Sequence, residues 1–179
     1  MNDDSEQVMW AGRFITAKTR GKWEYVTRSR GIRAAVILAV DEADHVLLVE
    51  QFRVPLGKPC LELPAGLIGD HDDVVGEDAT LAAARELEEE TGYRAGRIDV
   101  VGEFYSSPGM VSESFTLLAA RDLTRVGPGG GVDGEDITVH RVPLDGLEQF
   151  IASARQRGLG IDVRLLLLLG ANIVGGLKA

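Results

Sequence analysis

The chain has 179 residues, of which 45% are hydrophobic and 26% are charged, a composition typical of one globular domain with a sizeable core. Its formal net charge of −9 argues against sequence-independent nucleic-acid binding, which needs a basic surface. A phosphate-bearing substrate is not excluded, because metal ions can supply positive charge locally. The single cysteine excludes an intrachain disulfide, and neither the polar N-terminus nor the short apolar run at 165–169 predicts a signal peptide or a membrane span. We therefore expect a cytoplasmic protein without a membrane partner.

The first thirty residues predict a β-hairpin. Strand-like runs at 8–18 and 22–29 flank a turn at Arg20-Gly21. A two-stranded hairpin is rarely stable alone, so it should pack against the main body or against a second subunit.

The next segment predicts a buried hairpin and a bend. Two apolar runs at 32–40 and 45–52 are joined by an acidic turn. Arg53 closes the second run and is either a surface arginine or a clamp for a phosphate or carboxylate. A short strand then leads into a Pro/Gly bend within 60–68.

A helix is predicted from about Asp78, a plausible N-cap, to Thr91, where Gly92 can end it. Further strands are predicted at 97–106, 114–121 and 137–142, and helices at 144–157 and 161–174. This order predicts an α/β fold with a mixed sheet.

The last turns of the predicted helix are rich in glutamate. Glu86, Glu89 and Glu90 share one face because they lie three or four positions apart, whereas Glu88 is out of phase. Two interpretations remain open. The cluster is either a solvated acidic face with Arg85 paired to Glu89, or a site for hard divalent cations, which prefer carboxylate oxygens.

The spacing around this cluster resembles the signature of Nudix hydrolases. Glu77 is followed, after seven residues, by Arg85-Glu86-Leu87-x-Glu89-Glu90-x-Gly92-Tyr93, whereas the family pattern is Gly-x5-Glu-x7-Arg-Glu-U-x-Glu-Glu-x-Gly-U, with U a bulky apolar residue. His71 stands where the opening glycine is expected, so we take Gly66 as its counterpart and infer a five-residue insertion within 69–75.

The resemblance implies a Nudix fold, with a mixed sheet sandwiched between helices, and a site for Mg²⁺, with Mn²⁺ as an alternative. Glu86 and Glu90 would be the main ligands, with Glu89 and the Ala65 carbonyl beside them. Arg85 would hold the glutamates by a charge-assisted contact. The cations would neutralise a diphosphate and activate water.

Two loops resemble those of ADP-ribose pyrophosphatases. Ser107-Pro108-Gly109 and the following Glu113 match a substrate-binding turn of that subfamily. The segment 129–137 resembles its mobile acidic loop, in which Glu135 matches a metal ligand. Asp133 falls where the family carries a glutamate base, and Glu135 is the alternative base.

The resemblance also implies a substrate contact for Arg53 and a homodimer that exchanges its N-terminal hairpins. The chain would then divide into a hairpin at 1–30 and a Nudix domain at 31–179. The aromatic residues of the hairpin are candidates for stacking on the nucleotide base, although at least two are expected in the core; they are Trp10, Phe14, Trp23 and Tyr25.

The predicted activity is therefore hydrolysis of a nucleoside diphosphate sugar, ADP-ribose being cleaved to AMP and ribose 5-phosphate. GDP-mannose, or another such sugar, is the alternative substrate, because segment 129–137 also resembles that of GDP-mannose hydrolases. A non-catalytic sensor of the same ligand and a house-cleaning hydrolase of nucleoside triphosphates are the competing hypotheses.

Overall fold

A computed structural model describes residues 5–29, 33–68, 78–132 and 134–176 of the chain. The predicted insertion within 69–75, together with Glu77 and Asp133, lies outside this described part. Within it, no helix is both long and apolar enough to cross a membrane.

The N-terminal segment forms a three-stranded antiparallel sheet instead of the predicted hairpin. Its strands are β1 (Glu6–Ala11), β2 (Ile15–Arg20) and β3 (Trp23–Arg28), in the order β1-β2-β3. The predicted run 8–18 is divided by a turn in which the Gly12 N–H donates to the Ile15 carbonyl at 2.9 Å. The extra strand gives the segment more internal pairing than a hairpin has.

Eight strands and three helices make up the main body. The strands are β4 (Arg33–Ala39), β5 (His45–Arg53), β6 (Lys58–Glu62), β7 (Ala65–Ile68), β8 (Tyr93–Tyr105), β9 (Ser114–Arg125), β10 (Ile137–Pro143) and β11 (Gly160–Ile161). The helices are α1 (Ala79–Thr91), α2 (Leu147–Gln156) and α3 (Leu166–Gly176). One sheet has the order β7-β4-β9-β8 and the other β10-β5-β6-β11. Both are mixed, because β4 runs parallel to β9 and β6 parallel to β11.

The prediction that β4 and β5 form one hairpin is wrong. β4 pairs with β9 and β7, whereas β5 pairs with β10 and β6. A single bridge between Val40 and Val46 connects the two sheets at the turn. Both strands are apolar on their two faces, a pattern that suits the centre of a covered sheet.

Alternate side chains of the central strands feed two cores. Ala35 and Ile37 belong to the cluster that includes Leu87 of α1. Val36, which lies between them, belongs to the cluster that includes Ile151 of α2. The sheets therefore lie between α1 on one side and α2 with α3 on the other, which confirms the predicted sandwich. Each fully buried Ile or Leu side chain contributes about 1.5–3 kcal/mol to this packing.

Candidate active site

Helix α1 carries the acidic cluster at its C-terminal end. Its N-terminus is capped by Asp78, whose carboxylate accepts a hydrogen bond from the Thr80 N–H at 2.7 Å. Gly92 ends it with φ of 73°, a left-handed conformation that glycine adopts without a steric penalty. Both predicted helix ends are confirmed.

The glutamate side chains of α1 point in two directions, as their spacing predicts. Glu86, Glu89 and Glu90 line a cleft of about 800 Å³. Glu88 instead accepts two hydrogen bonds from Arg94, at 3.0 Å from Nε and 2.9 Å from Nη2. Glu88 thus belongs to an exposed ion pair, and the other three belong to the candidate site.

Arg85 holds two of the clustered acids. Its Nη1 lies 2.9 Å from Glu86 Oε1 and 3.2 Å from Glu89 Oε2. The arginine offsets part of the repulsion between the carboxylates and fixes their separation.

The first residues of β7 contact Glu86 and Glu90. The Ala65 N–H donates to Glu90 Oε2 at 3.0 Å. A Cβ built on Gly66 would lie 1.9 Å from the Glu86 Cδ, so the Glu86 side chain occupies the space that any other residue at position 66 would need. Gly66 therefore lies directly against the acidic face of the helix.

Burial and mutual repulsion perturb two of these carboxyls. The pKa of Glu90 is raised to about 8, chiefly by burial and also by the charges of Glu86 and Glu135, although the Ala65 hydrogen bond opposes the shift. Burial also raises the pKa of Glu86, although Arg85 opposes that shift. Carboxyls that resist ionisation in the free protein gain most from a cation.

The glycine-rich segment 127–131 is fastened to the end of α1. The Gly130 and Gly131 N–H groups donate to the carbonyls of Glu90 at 2.8 Å and Glu89 at 3.0 Å, which satisfies helix carbonyls that have no partner within the helix. Glu135 lies beyond this attachment and lines the cleft, where its Oε2 accepts the Val132 N–H at 3.1 Å. The acidic loop is thereby anchored at its first half.

The cleft lining also contains an ion cluster that was not predicted from the sequence. Arg53, the predicted clamp, donates to Glu62 from Nε at 2.6 Å and from Nη2 at 2.9 Å. Arg164 donates from Nη2 to Glu62 at 3.1 Å, and from Nε and Nη2 to Asp162 at 2.6 and 2.7 Å. A signal was present in the sequence, because Glu62 stands alone between Leu61 and Leu63 in a buried strand and a lone buried acid needs a partner.

The substrate turn is only partly at the cleft. Glu113 lines it and accepts a hydrogen bond from Arg28 Nε at 2.5 Å. The predicted residues Ser107, Pro108 and Gly109 form an exposed turn before it, outside the cleft lining.

The predicted stacking residues lie away from the cleft of this single chain. Trp23 is 67% exposed, and Trp10 and Phe14 are also exposed. Tyr25 is half-buried and donates its hydroxyl hydrogen to the Glu6 carboxylate within the N-terminal sheet. The expectation that at least two of the four belong to the core is therefore wrong for the isolated chain.

The donor set suits hard divalent cations. Glu86, Glu89, Glu90 and Glu135 line one cleft together with Ala65, and oxygen is the ligand that Mg²⁺ and Mn²⁺ prefer. Over the described ranges, no three acidic, His or Cys side chains are already close enough to share one ion. The Arg85 bridge holds Glu86 and Glu89 in their present arrangement, so closing round a metal would require these side chains to adjust.

The chain belongs to the Nudix family. The model of the NUDIX domain matches residues 30–158, which is most of the chain. Members of this family are hydrolases that generally use divalent metal ions.

Relatives of known name share this domain. A GDP-mannose pyrophosphatase of Cronobacter sakazakii is 36% identical over 148 residues, which are 78% of this chain and 72% of that protein. An ADP-ribose pyrophosphatase of Bacillus subtilis is 38% identical over 91 residues, which are 51% of this chain and 46% of that protein. Among solved structures, an ADP compounds hydrolase superimposes with a TM-score of 0.69 at 22% identity, covering 96% of this chain and 93% of that one. That likeness confirms the fold.

Proposed function

We propose that the protein is a Mg²⁺-dependent hydrolase of nucleoside diphosphate sugars, most simply of ADP-ribose to AMP and ribose 5-phosphate. One observation carries the proposal, which is that Glu86, Glu89, Glu90 and Glu135 face a single cleft. The negative charge of a diphosphate repels the electron pair of an attacking water unless cations neutralise it, and these acids would hold such cations.

The chain's own groups have distinct tasks in this proposal. Glu86, Glu89, Glu90 and Glu135, with the Ala65 carbonyl, hold the metal ions. Bound cations supply the positive charge and Lewis acidity that the diphosphate requires.

The remaining steps belong to side chains around the metal site. Arg85 orients the glutamates, and Arg53 binds substrate phosphate. Either Glu135 or Asp133 accepts the proton of the attacking water, and Glu89 assists as a catalytic carboxylate. Arg53 is close enough to Glu90 for its charge to lower the Glu90 pKa, which supports a phosphate position between the arginine and the acids.

ADP-ribose and GDP-mannose remain the two leading substrates. Both names occur among the relatives, and the GDP-mannose pyrophosphatase aligns over a larger share of this chain. The turn at 107–109 with Glu113 supports ADP-ribose through the resemblance described above.

The N-terminal sheet supports a homodimer. Four large apolar or aromatic side chains on its strands are more than half exposed, and a patch of this kind commonly marks an interface. They are Val8, Met9, Trp10 and Trp23. In this proposal residues 1–30 exchange with a second copy, residues 31–179 form the Nudix domain, and Trp23 or Tyr25 reaches the nucleotide of the partner. Ser107, Pro108 and Gly109 form part of the surface that binds this nucleotide in the same proposal.

A substrate panel tests the activity. Purified protein with Mg²⁺ is incubated with ADP-ribose, GDP-mannose, ADP-glucose and dGTP, and phosphomonoester release is measured. We expect ADP-ribose or GDP-mannose to turn over fastest, whereas preferential turnover of dGTP would favour the house-cleaning alternative.

Matched variants separate an enzyme from a sensor. Glu89→Gln and Glu90→Gln should each lose most turnover while the protein stays folded. Glu88→Gln is the control, because its side chain belongs to the exposed pair with Arg94. A wild-type protein that binds these nucleotide sugars without hydrolysing any of them would be a sensor.

A further inference from the structure

Glu62 is a charged side chain in a place where charge is costly. It is 3% exposed, and its neighbours Leu61 and Leu63 are fully buried. An isolated buried carboxylate carries a large desolvation penalty. The residue lines the same cleft as the glutamates of α1, so the cost of burying its charge there calls for a role.

The hydrogen bonds to Glu62 fix the orientation of its arginine partners. Glu62 Oε1 accepts Arg53 Nε at 2.6 Å and Oε2 accepts Arg53 Nη2 at 2.9 Å. This fork-to-fork contact fixes the plane of the guanidinium. The second partner, Arg164 Nη2 at 3.1 Å, holds Glu62 Oε2 from the other side and is itself held by Asp162.

The contact leaves the outer edge of Arg53 available. A guanidinium has five N–H donors, and Glu62 takes one on Nε and one on Nη2. Counting the described residues only, three donors of Arg53 remain on Nη1 and Nη2. The Arg53 side chain is 39% exposed at the cleft, whereas the Glu62 side chain is 4% exposed. Glu62 thus supports the arginine from behind.

We propose that Glu62 is a positioning residue that orients Arg53 for a diphosphate bound at the metal site. Glu62 does not touch the ligand. It removes the rotational freedom of a long side chain before binding, so that less conformational entropy is lost when the ligand arrives. The inference rests on the proposed function, because it assumes a diphosphate ligand.

Two other roles for Glu62 predict different results. If the residue acted only through its charge, its removal would strengthen the binding of an anion, because one negative charge would leave the cleft. If it only supported the fold, its removal would lower stability, and the effect on binding would not depend on Arg53. Positioning predicts weaker binding that disappears once Arg53 is absent.

The test measures binding of methylene diphosphonate, a diphosphate that cannot be hydrolysed, by calorimetry with excess Mg²⁺. Glu62→Gln should raise the Kd by about tenfold, the loss of roughly one charge-assisted hydrogen bond. In an Arg53→Met background, the same substitution should change the Kd by less than about twofold. Asp41→Asn is the control, because Asp41 pairs with Arg141 at 2.6 Å in the β4–β5 turn, outside the cleft lining, and its Kd should match that of the wild type.

Three outcomes would overturn the proposal: equal or tighter binding by Glu62→Gln, an undiminished loss in the Arg53→Met background, or no binding by the wild type. If Glu62→Gln does not fold, NMR on the wild type decides instead. The Arg53 Nε–H, assigned by its absence in Arg53→Met, should exchange slowly with water both with and without methylene diphosphonate, and fast exchange would refute the orientation. Because this ligand reports binding alone, failure of the nucleotide-sugar panel would refute the enzymatic proposal separately.

Discussion

Replacing Gly66 by alanine should disable the proposed metal site while leaving the fold intact. A Cβ at this position would lie 1.9 Å from Glu86 Cδ and 2.1 Å from Glu86 Cγ. Carbon atoms in contact are normally about 3.5 Å apart, so the Glu86 carboxyl must withdraw by about 3.5 − 1.9 = 1.6 Å. A misplacement of about 1 Å can cost roughly 100-fold in rate, and we expect at least that loss in kcat/KM.

The assay pairs turnover with Mg²⁺ titration and thermal melting. The obstructing atoms belong to a side chain that can swing toward solvent, so Tm should fall by less than about 3 °C, whereas the Mg²⁺ concentration for half-maximal activity should rise. Gly170→Ala is the control, because a Cβ there meets nothing within 4 Å. Wild-type turnover in Gly66→Ala would refute the reasoning, and a large drop in Tm would mean that the backbone of β7 had moved instead.

Three further predictions concern the cleft and the N-terminal sheet. Gly131→Ala should lower kcat by about 10- to 100-fold, because a Cβ there would lie 2.5 Å from Glu135 Oε2; Gly134→Ala, with a similar φ (93° against 83°) but open space, is the control, and equal losses in the two would contradict us. In metal-free protein Glu90 has its pKa raised from 4.5 to about 8, so its stabilising effect is full below pH 4.5 and is lost as pH rises to 8. The free energy of unfolding, measured with urea, should fall by on the order of 4 kcal/mol over that pH range, and by much less in Glu90→Gln. An equal dependence on pH in the two proteins would count against burial of the charge. Trp10→Glu should convert the expected homodimer to a monomer in sedimentation velocity, and a wild-type monomer would remove the interface proposal.

Local signals explain why helix α1 could be predicted closely. The cap at Asp78, the period of the glutamates and the left-handed Gly92 are encoded within fifteen consecutive residues, and their geometry follows from backbone chemistry. The acidic face of the site could therefore be predicted before any tertiary contact was known.

Contacts between distant segments explain what could not be predicted. Arg164 meets Glu62 across 102 positions, and no periodicity links a residue after β11 to one at the end of β6. The parallel pairing of β4 with β9 is similarly remote, so two adjacent apolar runs resembled a hairpin when each belonged to a separate sheet. Strand pairings of this kind are determined by the packing of the whole fold, and local sequence patterns do not indicate them.

The anchoring of the glycine-rich segment also bears on how this enzyme could be altered. The Gly131 N–H is tied to the Glu89 carbonyl, and the Ile137 N–H returns to the Gly130 carbonyl at 3.3 Å. The loop between Gly131 and Ile137 therefore has both ends fixed, one by helix α1 and the other by strand β10. Its length and acids can change without disturbing either element, because loop closure between fixed ends costs little extra free energy as the loop grows. Natural variation and laboratory evolution of the proposed proton acceptor should therefore concentrate in this stretch, while the flanking glycines stay constant.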